Sequence, residues 1–256
     1  MPAIVLAVQN LEERNMGSNV KLILACDMSD IRAGVSVIDK TAAEVDIVKI
    51  GLEAMTAEDV DGKTLARIFR HRALNVHDQD VMWDMKIHDV ANTMSNATRN
   101  IVRYGSQLFT LHATASDQAL SAVAKAVEGT NVMPLAVTVL TDLDEPQCQS
   151  RFACSPKSAV VEFARNAWFC GIRGFVCSAL EAAAIRDALP NAYIVTPGIR
   201  PLWAVKPDEQ KRVTTPTQAK QAGVNAIVVG RPIYNPPLSH TEADAAHDIR
   251  MELDAA

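Results

Sequence analysis

Short apolar runs rich in β-branched residues alternate with amphipathic stretches along most of the chain. The amphipathic stretches have helical spacing, as in Ile31, Val35 and Ile38 after a predicted N-cap at Ser29, and a second helix is predicted to follow Asn92. The apolar runs are typical of strands buried on both faces of a parallel sheet. The eight predicted strands cover residues 20–27, 46–51, 80–86, 106–113, 132–140, 174–178, 192–198 and 226–231.

Eight strand–helix units in about 250 residues predict an α/β protein with a single-domain (β/α)8 TIM barrel. A doubly wound open sheet is the alternative, but that fold usually has fewer strands and a Gly-rich first turn. The first strand here runs into "DMSD" (27–30) instead. Residues 1–19 are predicted to form an N-terminal extension with one short helix, and residues 20–256 the barrel domain.

Composition and charge exclude several classes of protein. The net charge is −5, no Lys/Arg-rich run occurs and only 5% of residues are aromatic, so we expect no nucleic-acid partner. No apolar run approaches 18 residues, so we expect no membrane span. Five cysteines without a CxxC pair predict reduced thiols and a cytoplasmic protein.

Polar residues occur where each predicted strand ends. In a barrel, the carboxyl ends of the strands meet at one face and carry the active site. The sequence therefore predicts a catalytic site there. From the first strand to the eighth, the candidates are Asp27, Lys49, Asp84 with Lys86, His112, Thr141, Ser178, Arg200 and Arg231, with Asp89 just beyond the third strand.

The ends of strands seven and eight favour a phosphate site. Barrels often bind phosphate at these two loops. "GIRP" (198–201) and "GRP" (230–232) each place a glycine before an arginine, which can make bidentate contacts to phosphate oxygens. The long loop from Leu202 to Thr215 carries several cationic and amide side chains and is predicted to be a closing lid.

Six segments together resemble the bacterial branch of the orotidine 5'-monophosphate (OMP) decarboxylase family. The family pattern D-x-K-x-x-D-[IV]-x-N-T occurs as "DMKIHDVANT" (84–93). The other segments are "LACD" (24–27), "VKIG" (48–51), "VTPGIRP" (195–201), "DEQKRV" (208–213) and "VVGRP" (228–232). The resemblance implies a lyase of pyrimidine biosynthesis that decarboxylates OMP to uridine 5'-monophosphate (UMP) without a cofactor or metal.

The resemblance also implies a role for each matching residue. Lys86 would protonate C6 of the pyrimidine, beside Asp84. Lys49 and Asp27 would contact ribose hydroxyls, with Lys49 also holding Asp84. Asp89 and Thr93 would reach into the other subunit of a homodimer. The remaining substrate contacts would be Thr141 to the pyrimidine ring and Arg200, Gln210, Gly230 and Arg231 to phosphate, with Gln210 on the lid.

The proposed chemistry explains why charged residues would be grouped. Loss of CO2 from C6 leaves an electron pair with little delocalisation, and no cofactor motif is evident to accept it. Preorganised positive charge at Lys86 would stabilise that carbanion. Burial would lower the pKa of an ammonium, and carboxylates on either side, Asp84 and the partner subunit's Asp89, would oppose that shift.

Two other functions stay open at this point. One is a metal-dependent 3-keto-gulonate 6-phosphate decarboxylase, a relative that shares D-x-K-x-x-D but has a Glu on strand two, where this chain has Lys49. The other is a non-catalytic barrel that binds a phosphate ligand. The chain also departs from the family at Ala91, where Pro is usual, and in its glycine-free lid.

Several polar or reactive residues have a simpler structural interpretation. We expect His88 to pack near the site without taking part in the chemistry, and His112 to make a structural hydrogen bond. Cys26 and Cys177 are predicted to be small core residues. Ser178 could contact the substrate or end a strand.

Overall fold

The predicted barrel is confirmed by the computed structural model, which describes residues 20–59, 61–205 and 214–256. Eight parallel strands pair in sequence order, and β8 pairs with β1 to close the sheet. The strands are β1 Lys21–Ala25, β2 Ile47–Gly51, β3 Asp80–Ile87, β4 Leu108–His112, β5 Met133–Val137, β6 Gly174–Val176, β7 Tyr193–Thr196 and β8 Ala226–Val229. The predicted N-terminal extension and its short helix lie outside the described residues.

Helices follow the strands around the outside of the barrel. The longer helices are α1 Ile31–Thr41, α3 Leu65–Val76, α4 Ala91–Arg103, α5 Asp117–Ala126, α6 Glu145–Phe152, α7 Pro156–Phe169, α8 Ala179–Ala188 and α11 Glu242–Ala255. The short helices are α2 Leu52–Thr56, α9 Pro216–Gln221 and α10 Arg231–Tyr234, and a 3-10 turn spans Leu202–Ala204. No helix in the described part of the chain is long and apolar enough to cross a membrane.

The predicted start of α1 was one residue early. Its N-cap is Asp30, whose carboxylate accepts hydrogen bonds from the backbone N–H groups of Arg32 and Ala33. The hydroxyl of Ser29 instead bonds the carboxylate of Glu53 at 2.6 Å. Both Ser and Asp are good N-caps, so the sequence alone did not separate them.

The start of α4 was also predicted too late. This helix begins at Ala91 after an extended Val90, so Asn92 lies in its first turn.

Two apolar layers hold the barrel together. Inside the barrel, side chains such as Ile23, Met82, Leu135 and Val195 pack together. A larger cluster fills the space between the strands and the helices, and it includes the fully buried Phe69. Strands buried on both faces explain why each reads as a nearly continuous apolar run.

Arg250 of α11 joins the last helix to the start of the barrel. Its guanidinium donates to the carbonyl oxygens of Val20 and Glu44 and pairs with Asp46. Asp46 also accepts the backbone N–H of Leu22 at 2.8 Å. Burial alone would raise the pKa of Asp46, but these hydrogen bonds outweigh it and hold the pKa below its ordinary value.

Candidate active site

A cavity of about 290 Å³ opens at the carboxyl ends of the strands. Its wall contains apolar side chains, including Met82, Val137 and Val176, beside a group of polar ones. Six residues chosen from the sequence line this one cavity: Asp27, Lys49, Asp84, Lys86, Thr141 and Gly230.

Lys49 is the centre of a chain of alternating charges. Its Nζ atom lies 2.8 and 2.9 Å from the two carboxylate oxygens of Asp27 and 3.1 Å from Oδ2 of Asp84. The other oxygen of Asp84, Oδ1, lies 2.8 Å from Nζ of Lys86. The order Asp27–Lys49–Asp84–Lys86 therefore crosses from the loop after β1 through β2 to β3, with opposite charges adjacent throughout.

The surroundings of Lys49 and Asp84 keep both charged near neutral pH. Burial would lower the pKa of Lys49, but the charges of Asp84 and Asp27 outweigh it, and the net pKa is raised. Burial would raise the pKa of Asp84, but Lys49 and Lys86 outweigh it, and the net pKa is lowered. The ion pairing thus opposes the neutralisation that burial would cause.

Thr110 is a member of the site that was not predicted from the sequence. It is fully buried on β4, and its hydroxyl donates to Oδ1 of Asp84 at 2.8 Å. The same hydroxyl oxygen accepts the backbone N–H of Lys86 at 2.9 Å. The available signal was a polar residue inside the apolar run "LFTLH" (108–112), but threonine is common in strands for other reasons.

Gly51 allows the first two strands to deliver their charges to the same place. A Cβ atom at Gly51 would lie 2.3 Å from Oδ1 of Asp27 and 3.2 Å from Nζ of Lys49. Only a residue without a side chain leaves Asp27 in this position.

Asp89 and Thr93 lie away from the charges of their own barrel. Both are exposed, Asp89 in the turn after β3 and Thr93 in the first turn of α4. The carboxylate of Asp89 accepts the backbone N–H of Val90, a residue that is 68% exposed. The structure therefore separates the charged residues of "DMKIHD" (84–89) into two groups.

The predicted phosphate residues are only partly assembled. Gly198 and Gly230 line the cavity. Arg200 and Arg231 are not among the described residues that line it. Arg231 is exposed at the start of α10, and the backbone N–H of Arg200 donates to the carbonyl of Thr214 at 3.0 Å. Gln210 and the rest of the predicted lid between Val205 and Thr214 lie outside the described residues.

The start of the predicted lid packs against the segment that precedes α11. The rings of Trp203 and His240 stack with centroids 4.2 Å apart and planes 17° from parallel. His240 also bonds the carboxylate of Asp248 at 3.1 Å.

The two histidines nearest the site contact each other. The rings of His88 and His112 lie 5.5 Å apart, and within the described residues this contact replaces the hydrogen bond expected for His112. Burial, with His88 and Lys86 nearby, lowers the pKa of His112. The neutral form of the His112 imidazole is therefore favoured.

Three other residues have structural positions. Ser178 caps α8 by accepting the backbone N–H of Leu180 at 3.1 Å. Cys26 and Cys177 are buried, as predicted, and burial raises the pKa of each thiol to about 12. Neither thiol is a nucleophile at neutral pH.

Known proteins resemble this chain over nearly its whole length. An orotidine 5'-phosphate decarboxylase of Anaeromyxobacter sp. (strain K) is 37% identical over 225 residues, which are 87% of this chain and 94% of the relative. The enzyme of the same name from Opitutus terrae is 37% identical over 236 residues, 91% of this chain and 97% of the relative. The crystal structure of orotidine 5'-phosphate decarboxylase from Lactobacillus acidophilus has a TM-score of 0.74 at 26% identity, covering 92% of this chain and 100% of that one.

The family signature covers the same region as these relatives. The sequence model described as "Orotidine 5'-phosphate decarboxylase / HUMPS family" matches residues 20–246, which include every described strand of the barrel. The match and the relatives confirm the resemblance found in the short motifs, and the chain belongs to the orotidine 5'-phosphate decarboxylase / HUMPS family.

Proposed function

We propose that the chain is a carboxy-lyase that decarboxylates OMP to UMP without a cofactor, within pyrimidine biosynthesis. The observation that carries this proposal is the Asp27–Lys49–Asp84–Lys86 chain of charges in the barrel mouth. The curated relatives named orotidine 5'-phosphate decarboxylase support the substrate.

Lys86 is the proposed proton donor. The bond between C6 and the carboxylate breaks, CO2 leaves, and the electron pair stays on C6 as a carbanion. The ammonium of Lys86 stabilises that pair and then transfers a proton to C6, which gives UMP and a neutral amine that solvent reprotonates. Asp84 lies 2.8 Å from Lys86 and keeps the cation in place before the reaction.

The preorganised charges explain how the reaction proceeds without an electron sink. At about 4 Å and an effective dielectric of about 20, opposite charges attract by about 4 kcal/mol before desolvation costs. Because Lys49 and Asp84 are already paired, little rearrangement accompanies bond breaking. Repulsion between Asp84 and the departing carboxylate is a smaller contribution.

The substrate's other groups have separate proposed contacts. Asp27 and Lys49 hold the ribose hydroxyls, and Thr141, on the cavity wall, contacts the pyrimidine. Gly230, Arg200, Arg231 and Gln210 bind the phosphate, whose binding energy offsets the cost of ordering and dehydrating the site. Gly198 and Gly230 on the cavity wall support a phosphate near that edge.

A homodimer completes the proposed site. Asp89 and Thr93 lie outside their own cavity, beside the exposed apolar Val90. In a symmetric dimer each subunit then gives these two residues to the other, and the partner subunit's Asp89 flanks Lys86. Lys86 would thus have a carboxylate on both sides.

The metal-dependent alternative is less favoured by the residues of the site. The carboxylates of Asp27 and Asp84 are bridged by the cationic Nζ of Lys49, which would repel a divalent cation. A non-catalytic barrel is also disfavoured, because buried charges that serve no reaction are costly. A cytoplasmic location remains part of the proposal, supported by the five free cysteines.

Three measurements test the proposed function. Purified protein should convert OMP to UMP both with and without EDTA. The reaction is monitored by the loss of absorbance as OMP is consumed. Lys86→Ala should lower kcat by about 10³-fold or more while the variant still binds UMP. No turnover by the wild type would refute the proposal, a magnesium requirement would favour the metal-dependent enzyme, and near-normal turnover by Lys86→Ala would exclude Lys86 as the donor.

A further inference from the structure

We propose that Thr110 is a positioning residue that holds the backbone of Lys86 and the carboxylate of Asp84 in the reactive arrangement. The inference rests on the proposed function, because it assigns a role within that reaction. Thr110 itself is not expected to exchange a proton with the substrate.

The pairing between β3 and β4 is irregular beside Thr110. Trp83 pairs with Phe109 and Ile87 pairs with Leu111, so three residues of β3 lie opposite one residue of β4. The three residues are Asp84–Lys86, and the single residue is Thr110. The extra residues make a bulge in β3, and bulges redirect side chains at active sites.

Lys86 has an unusual backbone conformation. Its φ angle is +50°, in the left-handed region that residues with a Cβ atom rarely adopt. Such a conformation persists only where neighbouring contacts hold it. The backbone N–H of Lys86 donates to the hydroxyl of Thr110 at 2.9 Å, which fastens the residue in its unusual conformation.

The hydroxyl of Thr110 bonds both charged residues. While it accepts from Lys86, it donates its own proton to Oδ1 of Asp84 at 2.8 Å. The same Oδ1 atom receives Nζ of Lys86. These hydrogen bonds form a closed loop through Thr110, Asp84 and Lys86. The loop fixes both the backbone N–H and the side-chain ammonium of Lys86.

Loss of the hydroxyl should misplace the proton donor. A methyl group there would leave the N–H of Lys86 without its acceptor and Asp84 without one of its donors. The bulge could then relax, and Nζ of Lys86 would move relative to C6. A displacement of about 1 Å at a reacting group lowers rates by about 100-fold.

The test compares Thr110→Val, which keeps the shape, with Thr110→Ser, which keeps the hydroxyl. We expect Thr110→Val to lower kcat about 100-fold with KM for OMP changed less than about threefold. Thr110→Ser should stay within about fivefold of the wild type in kcat, since its hydroxyl can make both bonds. If Thr110 had only a structural role, Thr110→Val would lower thermal stability but would not lower kcat selectively, and Thr110→Ser would not restore kcat.

Thr196→Val is the matched control. Thr196 is also fully buried on a barrel strand, but the polar neighbour of its hydroxyl is the Cys177 thiol and not a charged residue of the site. This variant should keep wild-type kcat and KM. If Thr110→Val does not fold, Thr110→Cys, of similar volume and with a weak donor, takes its place in the comparison.

The outcomes separate this inference from the proposed function. An inactive wild type would refute the proposed function. An active wild type with Thr110→Val within threefold of its kcat, or with Thr110→Ser as impaired as Thr110→Val, would overturn the role of Thr110 alone.

Discussion

Nζ of Lys49 lies 3.1 Å from Oδ2 of Asp84, and this contact ties β2 to β3 at the mouth of the barrel. Both side chains are largely buried, 8% and 12% exposed. Removing Lys49 would take one of its two cationic partners from the buried Asp84 and leave Lys86 to balance that charge, which is more costly than losing an exposed pair.

Lys49→Met should therefore destabilise the protein by about 3 kcal/mol, measured by urea unfolding. The matched control is Lys40→Met, which removes an exposed pair with Glu242 and should cost less than about 1 kcal/mol. Equal destabilisation by the two variants would show that the burial of Lys49 has no energetic consequence.

Gly51→Ala should weaken substrate binding. The added Cβ would displace the carboxylate of Asp27, a flexible group, so we expect KM for OMP to rise about tenfold with little loss of stability. Gly34→Ala is the contrasting variant, because its Cβ would meet the buried ring of Phe69 at 2.3 Å. That change should cost about 1–3 kcal/mol of stability and leave KM unchanged. The opposite pattern would contradict the assigned roles of the two glycines.

His112 and His247 should give stability opposite pH dependences. Burial lowers the pKa of His112 in the folded protein. As pH falls below about 6.5, the unfolded chain therefore binds a proton at this histidine more readily than the folded protein does, and stability falls. The hydrogen bond to Glu44 raises the pKa of His247, so its contribution is full below about 6.5 and is lost as pH rises through the folded pKa.

Urea unfolding between pH 5 and 8 measures both effects. Relative to wild type, His112→Asn should lose less stability on acidification, and His247→Asn should lose less on going to higher pH. A profile unchanged by either substitution would show that the histidine concerned titrates alike in the folded and unfolded states.

Mixed dimers test whether Asp89 acts across the interface. Lys86→Ala and Asp89→Asn should each be impaired alone. In a mixed dimer, the Asp89→Asn subunit keeps its own Lys86 and receives the partner subunit's Asp89, so one site is complete. Random exchange of subunits should restore about a quarter of wild-type activity. No recovery, in a mixture shown to have exchanged, would place Asp89 in its own barrel.

The phosphate of the substrate should contribute to catalysis through Arg231. Orotidine, which lacks phosphate, should react with kcat/KM lower by about 10³-fold or more. Arg231→Ala should lower kcat/KM for OMP by about 10–100-fold and leave that for orotidine unchanged. Comparable kcat/KM values for OMP and orotidine would remove this role from the phosphate.

The barrel and its charged centre were predictable from sequence for the same reason. Strands buried on both faces contain almost only apolar residues, so Asp27, Lys49 and Asp84 stand out at their ends. The rule that parallel strands present their carboxyl ends at one face then brings them together without any knowledge of distance.

The bulge in β3 was not predictable in the same way. A left-handed backbone is usually suggested by glycine or asparagine, but here the residue is Lys86. Its conformation depends on Thr110, which is 24 residues away and belongs to another strand. Sequence patterns describe one strand at a time. They therefore do not show a hydrogen bond between two strands, such as the bond from the backbone of Lys86 to the side chain of Thr110.

The hydrogen bond from Arg250 to the carbonyl of Val20 holds the last helix next to the start of the barrel, where β8 and β1 close the sheet. The last helix lies beside the first strand, so the eight units have no preferred starting point in space. A circularly permuted chain, with residue 256 linked to residue 20 and opened in the exposed turn at Gly129, would keep every strand neighbour. That turn follows α5 and precedes β5, at the end of the barrel away from the charged centre. The geometry of the site therefore depends on which strands are neighbours and not on the order in which the strand–helix units follow one another along the chain.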